Sequence, residues 1–149
     1  MIRYLSAAAL IAVGATAVFA QATGGTAAIS ERKAAMKAVA GANKGLTAMA
    51  KGEVPFDAAK AAAEFKTIEN ALIKSKALYP DDSKSGGDTA ALPAVWTKKA
   101  DFTAKMDKAI ADAKAAAASS TDDASFKAAH KQVVSNCGGC HKEYRQPPK

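Results

Sequence analysis

The chain reads as an all-α protein, an antiparallel up-down-up-down four-helix bundle preceded by an export segment, and three observations predict this. Alanine, lysine and other helix formers dominate, with few runs of β-branched residues, so strands are disfavoured. Four stretches of about twenty residues are set apart by Gly, Pro and capping residues. Each stretch carries one apolar stripe at helical spacing, and the mostly short connections favour antiparallel neighbours.

Residues 1–20 read as a signal peptide. Arg3 supplies a short basic region, Leu5 to Phe19 is apolar and alanine-rich, and Val18-Phe19-Ala20 places small residues at the two positions a signal peptidase reads. The apolar run is shorter than the ~20 residues that span a bilayer, so a permanent anchor is disfavoured. Residues 21–149 then form one domain. Losing Arg3 leaves 20 basic and 14 acidic residues, a net charge of +6 against +7 for the whole chain. This balance favours acidic partner proteins and not nucleic acid, because the lysines are interspersed with carboxylates and lack an interleaved aromatic platform.

Helix A is expected from about Ser30, as N-cap, to Lys51-Gly52, where glycine ends it. Asp57 after Pro55 caps helix B, which runs to about Leu78 before Tyr79-Pro80 and a loop over 81–89 with Gly86-Gly87. Helix C starts near Pro93, a residue suited to a first helical turn, and ends at about Ala118. Helix D follows the cluster Ser119 to Asp123 and ends at about Arg145, before Pro147-Pro148. The core-facing stripes are Phe65, Ile68 and Leu72 on helix B, Phe102, Met106 and Ile110 on helix C, and Phe126, Val133, Cys137, Cys140 and Tyr144 on helix D. Large aliphatics are scarce. A core in which alanine replaces leucine forgoes ~0.8 kcal/mol per missing methylene, which a bound apolar group would supply.

The chemistry is concentrated in Cys137-Gly138-Gly139-Cys140-His141, the attachment signature of c-type haem. Two thiols form thioethers with the porphyrin and the histidine binds the iron. At ~100° per residue the three side chains fall on one helix face. The intervening glycines cost about 1 kcal/mol each in helix propensity, which close approach of a porphyrin to the backbone would explain. A dithiol redox pair would expect alternating strands and helices, and a zinc site would need a fourth ligand. The obvious candidate, His130, shares the face of His141 but lies roughly 16 Å away along the helix, and reads instead as a partly buried or surface histidine. Export agrees with haem attachment, which in bacteria takes place outside the cytoplasm.

On helix A, Arg32, Met36, Val39 and Asn43 share a face. A methionine there is by default a gap-filler. Met49, about 140° away around the helix, cannot compete for the same partner, and Met106 reads as packing.

With the motif on the last of four helices, the sequence resembles the class II c-type cytochromes, the cytochrome c′ and c-556 family. Besides the haem site, the resemblance rests on Arg32-Lys33-Ala34-Ala35-Met36-Lys37, Tyr79-Pro80, Thr89-Ala90-Ala91-Leu92-Pro93-Ala94-Val95-Trp96 and Tyr144-Arg145. It implies one covalent haem c on Cys137 and Cys140, His141 as proximal iron ligand, and Met36 at the position facing the distal side. High-spin cytochromes c′ carry leucine or another non-ligand there, and the low-spin c-556 type carries methionine. The resemblance also places Arg32 near a haem propionate, the alternative being a solvated helix-start arginine. It sets Arg145 beside the proximal imidazole, where it otherwise complements the helix dipole, and Trp96 beside the haem as core packing. The implied function is a periplasmic electron carrier serving redox partner proteins, not an enzyme, with no stable membrane insertion after cleavage. The alternative is a high-spin cytochrome c′ that binds NO or CO. The family also allows a homodimer through the first two helices.

Overall fold

A computed structural model describes residues 19–147, with side chains from residue 24 onward. The signal segment therefore lies outside the described residues except for Phe19 and Ala20, which open the first helix. The helices are α1 (Phe19–Ala50), α2 (Ala58–Lys76), a short α3 (Ala94–Thr97), α4 (Lys99–Ser119) and α5 (Asp123–Tyr144), with a 3-10 turn at Asp81–Ser83. The long helices pack in chain order, α1 on α2, α2 on α4 and α4 on α5, while α1 and α5 meet over a much shorter stretch. This is the expected four-helix bundle.

The local signals that end these helices operate as read. Gly52 adopts φ +73°, and the amides of Gly52 and Glu53 turn back onto the Met49 and Ala48 carbonyls at 3.0 and 2.9 Å, closing α1 in a Schellman motif. The Asp57 carboxylate accepts from the Lys60 amide at 2.9 Å. Asp122 accepts from the Ala124 and Ser125 amides and forms a reciprocal capping box with Ser125 at the start of α5.

Two boundaries differ from the sequence reading. Ser30 is not a cap, because α1 continues upstream through Gly24 and Gly25. Gly25 lies so close to the 3-10 turn that an added Cβ would sit 2.2 Å from the Asp82 carbonyl oxygen, so glycine here serves close packing of a helix rather than a break. Helix C is in turn divided at Lys98, whose φ of −117° and ψ of 41° leave the helical region. The short α3 buries Val95 and aims the Trp96 indole at the Tyr79 and Pro80 carbonyls, at 3.1 and 3.2 Å.

The core follows the predicted stripes on α2 and α5, with Phe65, Ile68, Phe126 and Val133 fully enclosed. On α4 the buried line runs Phe102, Met106, Ala109, Ala113, Ala116, and Ile110 is only partly covered. At one end of the bundle Phe56 and Phe65 pack on Phe126 with centroids 5.2 and 6.1 Å away, and His130 stacks on Phe126 at 6.0 Å.

Candidate functional site

Where α1 and α5 diverge, the bundle opens into a cavity of about 520 Å³ between α1, α4 and α5, within the ~300–1,000 Å³ usual for ligand sites. Its walls are mainly apolar, with Val39, Leu72, Val95, Phe102, Met106 and Ala109 among them. The last turns of α5 bring Cys137, Cys140 and His141 to it, and α1 brings Arg32, Met36, Val39 and Asn43, the four residues that share a helical face. The cavity therefore gathers every iron-ligand and thioether candidate read from the sequence.

Both thiols are half-buried and unpaired, and burial pushes their pKa values up, so they are protonated at neutral pH. The Cys137 Sγ contacts the Val133 carbonyl one turn back at 3.5 Å. His141 has its pKa lowered by its surroundings first and by the charge of Arg145 second, which favours the neutral imidazole that a metal requires. Arg145 lines the cavity and also fastens its rim: residues 90–92 pair with 144–146 through Leu92 N to Tyr144 O at 3.0 Å and Gln146 N to Ala90 O at 2.8 Å.

Met36 is partly buried at the cavity and packs against the core cluster. Met49 is enclosed at the other end of α1 and does not reach the cavity, as its angular offset predicts. Met106 is buried in the α4 stripe but also lines the cavity, a placement its packing role did not foretell. Trp96 is not among the lining residues. Its indole packs edge-on to Tyr79, which itself faces the cavity, so it supports the wall from behind.

Arg32 is 4% exposed, which removes the solvated reading. Its terminal nitrogens already serve four protein acceptors, the Leu78 carbonyl, the Ser83 hydroxyl and carbonyl, and the Thr89 hydroxyl, at 2.6 to 3.0 Å. Gly138 and Gly139 do not line the cavity, and a Cβ on either would meet no protein atom within 4 Å. His130 is half-buried as expected and bridges α5 to α1, its Nε2 lying 3.1 Å from Asn43 Oδ1 and 3.4 Å from Thr47 Oγ1. It is not among the residues that line the cavity with His141.

Sequence reasoning missed several groups around the site. Lys33, Lys37 and Lys105 line it together with Arg32 and Arg145, and among the described residues no carboxylate does. The Tyr144 hydroxyl donates to Asp101, which pushes its pKa up to about 12, and Lys105 links Glu143 to Asp101 at 3.3 and 3.7 Å. Asp112 accepts at one oxygen from Lys108, Gln132 and Asn136, at 2.6, 3.0 and 2.7 Å, so its pKa falls to about 2. Asn136 precedes Cys137 and lines the cavity, which makes Asp112 the brace between α4 and the thiol-bearing turn. Lys108–Asp112 and Lys105–Asp101 are pairs four residues apart on one helix. The bonds of Asp112 to Gln132 and Asn136 and of Asp101 to Tyr144, however, join residues far apart in the chain and leave no local pattern. An apolar, partly open cavity with a cationic rim and two thiols one turn apart fits a flat, largely apolar, anionic group held covalently, and haem has that chemistry.

The Cytochrome C' family model matches residues 27–145. A cytochrome c′ of Rhodopseudomonas palustris is 40% identical over 144 residues, covering 97% of this chain and 96% of the relative. A cytochrome c-556 of Agrobacterium fabrum is 40% identical over 120 residues, covering 78% of this chain and 80% of the relative. Among solved structures, the R. palustris cytochrome c′ superposes with a TM-score of 0.79 at 42% identity, over 82% of this chain and 98% of that one. A nitric oxide complex of a mutant cytochrome c prime from Alcaligenes xylosoxidans superposes with a TM-score of 0.71 at 28% identity, over 80% and 94%. The chain belongs to the cytochrome c′ family, whose members bind one covalently attached haem c.

Proposed function

We propose that this protein is a periplasmic monohaem electron carrier of the low-spin c-556 type and not an enzyme. Cys137 and Cys140 hold the haem, His141 is its proximal iron ligand and Met36 its distal one. The observation that carries this reading is the single cavity lined by Cys137, Cys140 and His141 from α5 and by Met36 from α1. Haem supplies one-electron chemistry, with a potential that a His/Met pair raises relative to harder ligands. The chain's own residues do the rest. Burial first and the charge of Arg145 second lower the His141 pKa, which favours the neutral imidazole. Val39, Leu72, Phe102 and Met106 exclude water, and the net positive charge of the chain attracts an acidic partner. The described helices include none long and apolar enough to cross a membrane.

The optical spectrum of the purified holoprotein tests this. A low-spin, six-coordinate spectrum is expected, and Met36→Ala should convert it to a high-spin one. An unchanged spectrum in the variant removes Met36 from the iron. The second reading, a high-spin cytochrome c′ with an open distal site for NO or CO, draws on the R. palustris relative that spans nearly the whole chain and on the nitric oxide complex of the A. xylosoxidans protein. A five-coordinate spectrum in the unmodified holoprotein would establish it in place of the first.

A further inference from the structure

Arg32 is the most heavily engaged side chain beside the cavity. Its four bonds all end on residues 78–89, which are 46 to 57 positions away in the chain. Ser83 is fully buried, and its hydroxyl passes the contact on to the Pro80 carbonyl at 2.8 Å. Thr89 accepts from Arg32 at 2.6 Å and from the Ala91 amide at 3.2 Å, and Ala91 in turn pairs with Arg145 behind His141. The guanidinium also lies over two rings, 4.8 Å from the Tyr79 centroid and 5.7 Å from that of Trp96. One planar group thus ties the first helix to both ends of the 78–89 segment and to the Tyr79 and Trp96 rings.

From this geometry we infer that Arg32 is a positioning residue, which locks the 78–91 segment into place as the fourth wall of the cavity and holds Tyr79 against its contents. Its planar fork performs this task, not its charge alone. The bonds diverge from two nitrogens in one plane toward four oxygens, a pattern a lysine ammonium cannot reproduce. The wall belongs to the cavity assigned above to haem, yet the clamp is independent of which group occupies the distal side of the iron.

Backbone hydrogen exchange on the holoprotein, with Arg32→Lys, Arg32→Gln and Ser83→Ala, tests the clamp. Both Arg32 variants should raise exchange of the Ser83, Leu92 and Gln146 amides at least tenfold and leave the first turns of α2 and α5 unchanged. Ser83→Ala, which removes one acceptor and leaves Arg32 in place, should give a smaller rise at the same amides. The reduction potential supplies a second readout. Arg32→Lys and Arg32→Gln should shift it in the same direction and to a similar extent, because both lose the fork. Wild-type exchange and potential in Arg32→Lys, with changes only in Arg32→Gln, would overturn the inference in favour of a purely electrostatic contact with the haem. Unchanged exchange in all three variants would overturn it as well, whatever the haem spectrum shows.

Discussion

The two ends of the bundle solve the same packing problem with different side chains. At the closed end Phe56 and Phe65 each pack at a tilt against Phe126, and Leu46, Met49, Ala61 and Ala113 are buried in the same core, so protein alone completes this end. At the cavity end the aromatics are Tyr79, Trp96, Phe102 and Tyr144, joined in a chain with centroids 4.8 to 6.1 Å apart. They form walls, and their polar atoms are fixed from outside the cavity, Tyr144 by Asp101 and Trp96 by two loop carbonyls. Phenylalanine serves where rings must only fill space. Tyrosine and tryptophan are added at the cavity end, where beside Phe102 some rings are also anchored through a polar atom.

The most severe way to test that contrast is to withhold the haem. Leaving a cavity costs roughly 24 cal/mol per Å³, so about 520 Å³ sets a ceiling near 12 kcal/mol, comparable with the ~5–15 kcal/mol that stabilises a whole domain. The cavity is partly open and its walls can collapse, so the expected loss is a fraction of that ceiling, several kcal/mol. In the Cys137→Ala/Cys140→Ala double variant the melting temperature should fall by ~10 °C or more. Amide protection should vanish first in 78–92 and the last turns of α5, and persist around Phe126 and Leu46. Equal melts for the haem-bound and haem-free proteins would show that the cavity end is as self-sufficient as the closed one.

Asp112 sits where the two ends meet, and perturbing it should have an intermediate effect. Its carboxylate titrates at about 2 in the folded chain against an ordinary 3.8, chiefly because Lys108, Asn136 and Gln132 donate to it. Because the folded pKa is the lower one, this stabilisation is fully present above pH ~4 and is lost as pH falls toward about 2. The difference is worth at most about 2 kcal/mol. Asp112→Asn should lower stability at pH 7 by 1–2 kcal/mol in urea titration and flatten the pH dependence of stability between pH 4 and 2. A variant as stable as the parent at pH 7 would mean that α4 does not brace the thiol-bearing turn.

Legibility differs between the ends for a physical reason. Helix boundaries written in local chemistry, the stop at Gly52 and the starts at Asp57 and Asp122, are readable because a capping partner lies within four residues. The haem motif and the Arg32, Met36, Val39, Asn43 face are readable for the same reason, since helical periodicity alone puts them on one side. The start of α1 is not, because Gly25 takes its meaning from Asp82 across the fold. Arg32 has the same character. Its face on the helix was predictable, but its acceptors at Leu78, Ser83 and Thr89 come from a loop whose path no local rule specifies, so a propionate contact or solvent looked like the only choices. The Asp112 brace also depends on partners in another element, Gln132 and Asn136 on α5.

The smallest effect concerns the glycines inside the haem motif, and it separates propensity from contact. Gly138 and Gly139 lie in α5 and are exposed, and a Cβ at either meets nothing within 4 Å. Alanine in a helix interior is favoured over glycine by ~0.8–1.0 kcal/mol, so Gly138→Ala and Gly139→Ala should each stabilise the haem-free chain by up to about that amount. Neither residue lines the cavity, so the same gain should persist in the holoprotein, read as a rise in melting temperature of a few degrees with an unchanged optical spectrum. A gain present without haem and absent with it would mean that the porphyrin does approach this backbone. The glycines would then belong to the cavity end as packing residues, with their open surroundings in the chain alone being the space the haem edge uses.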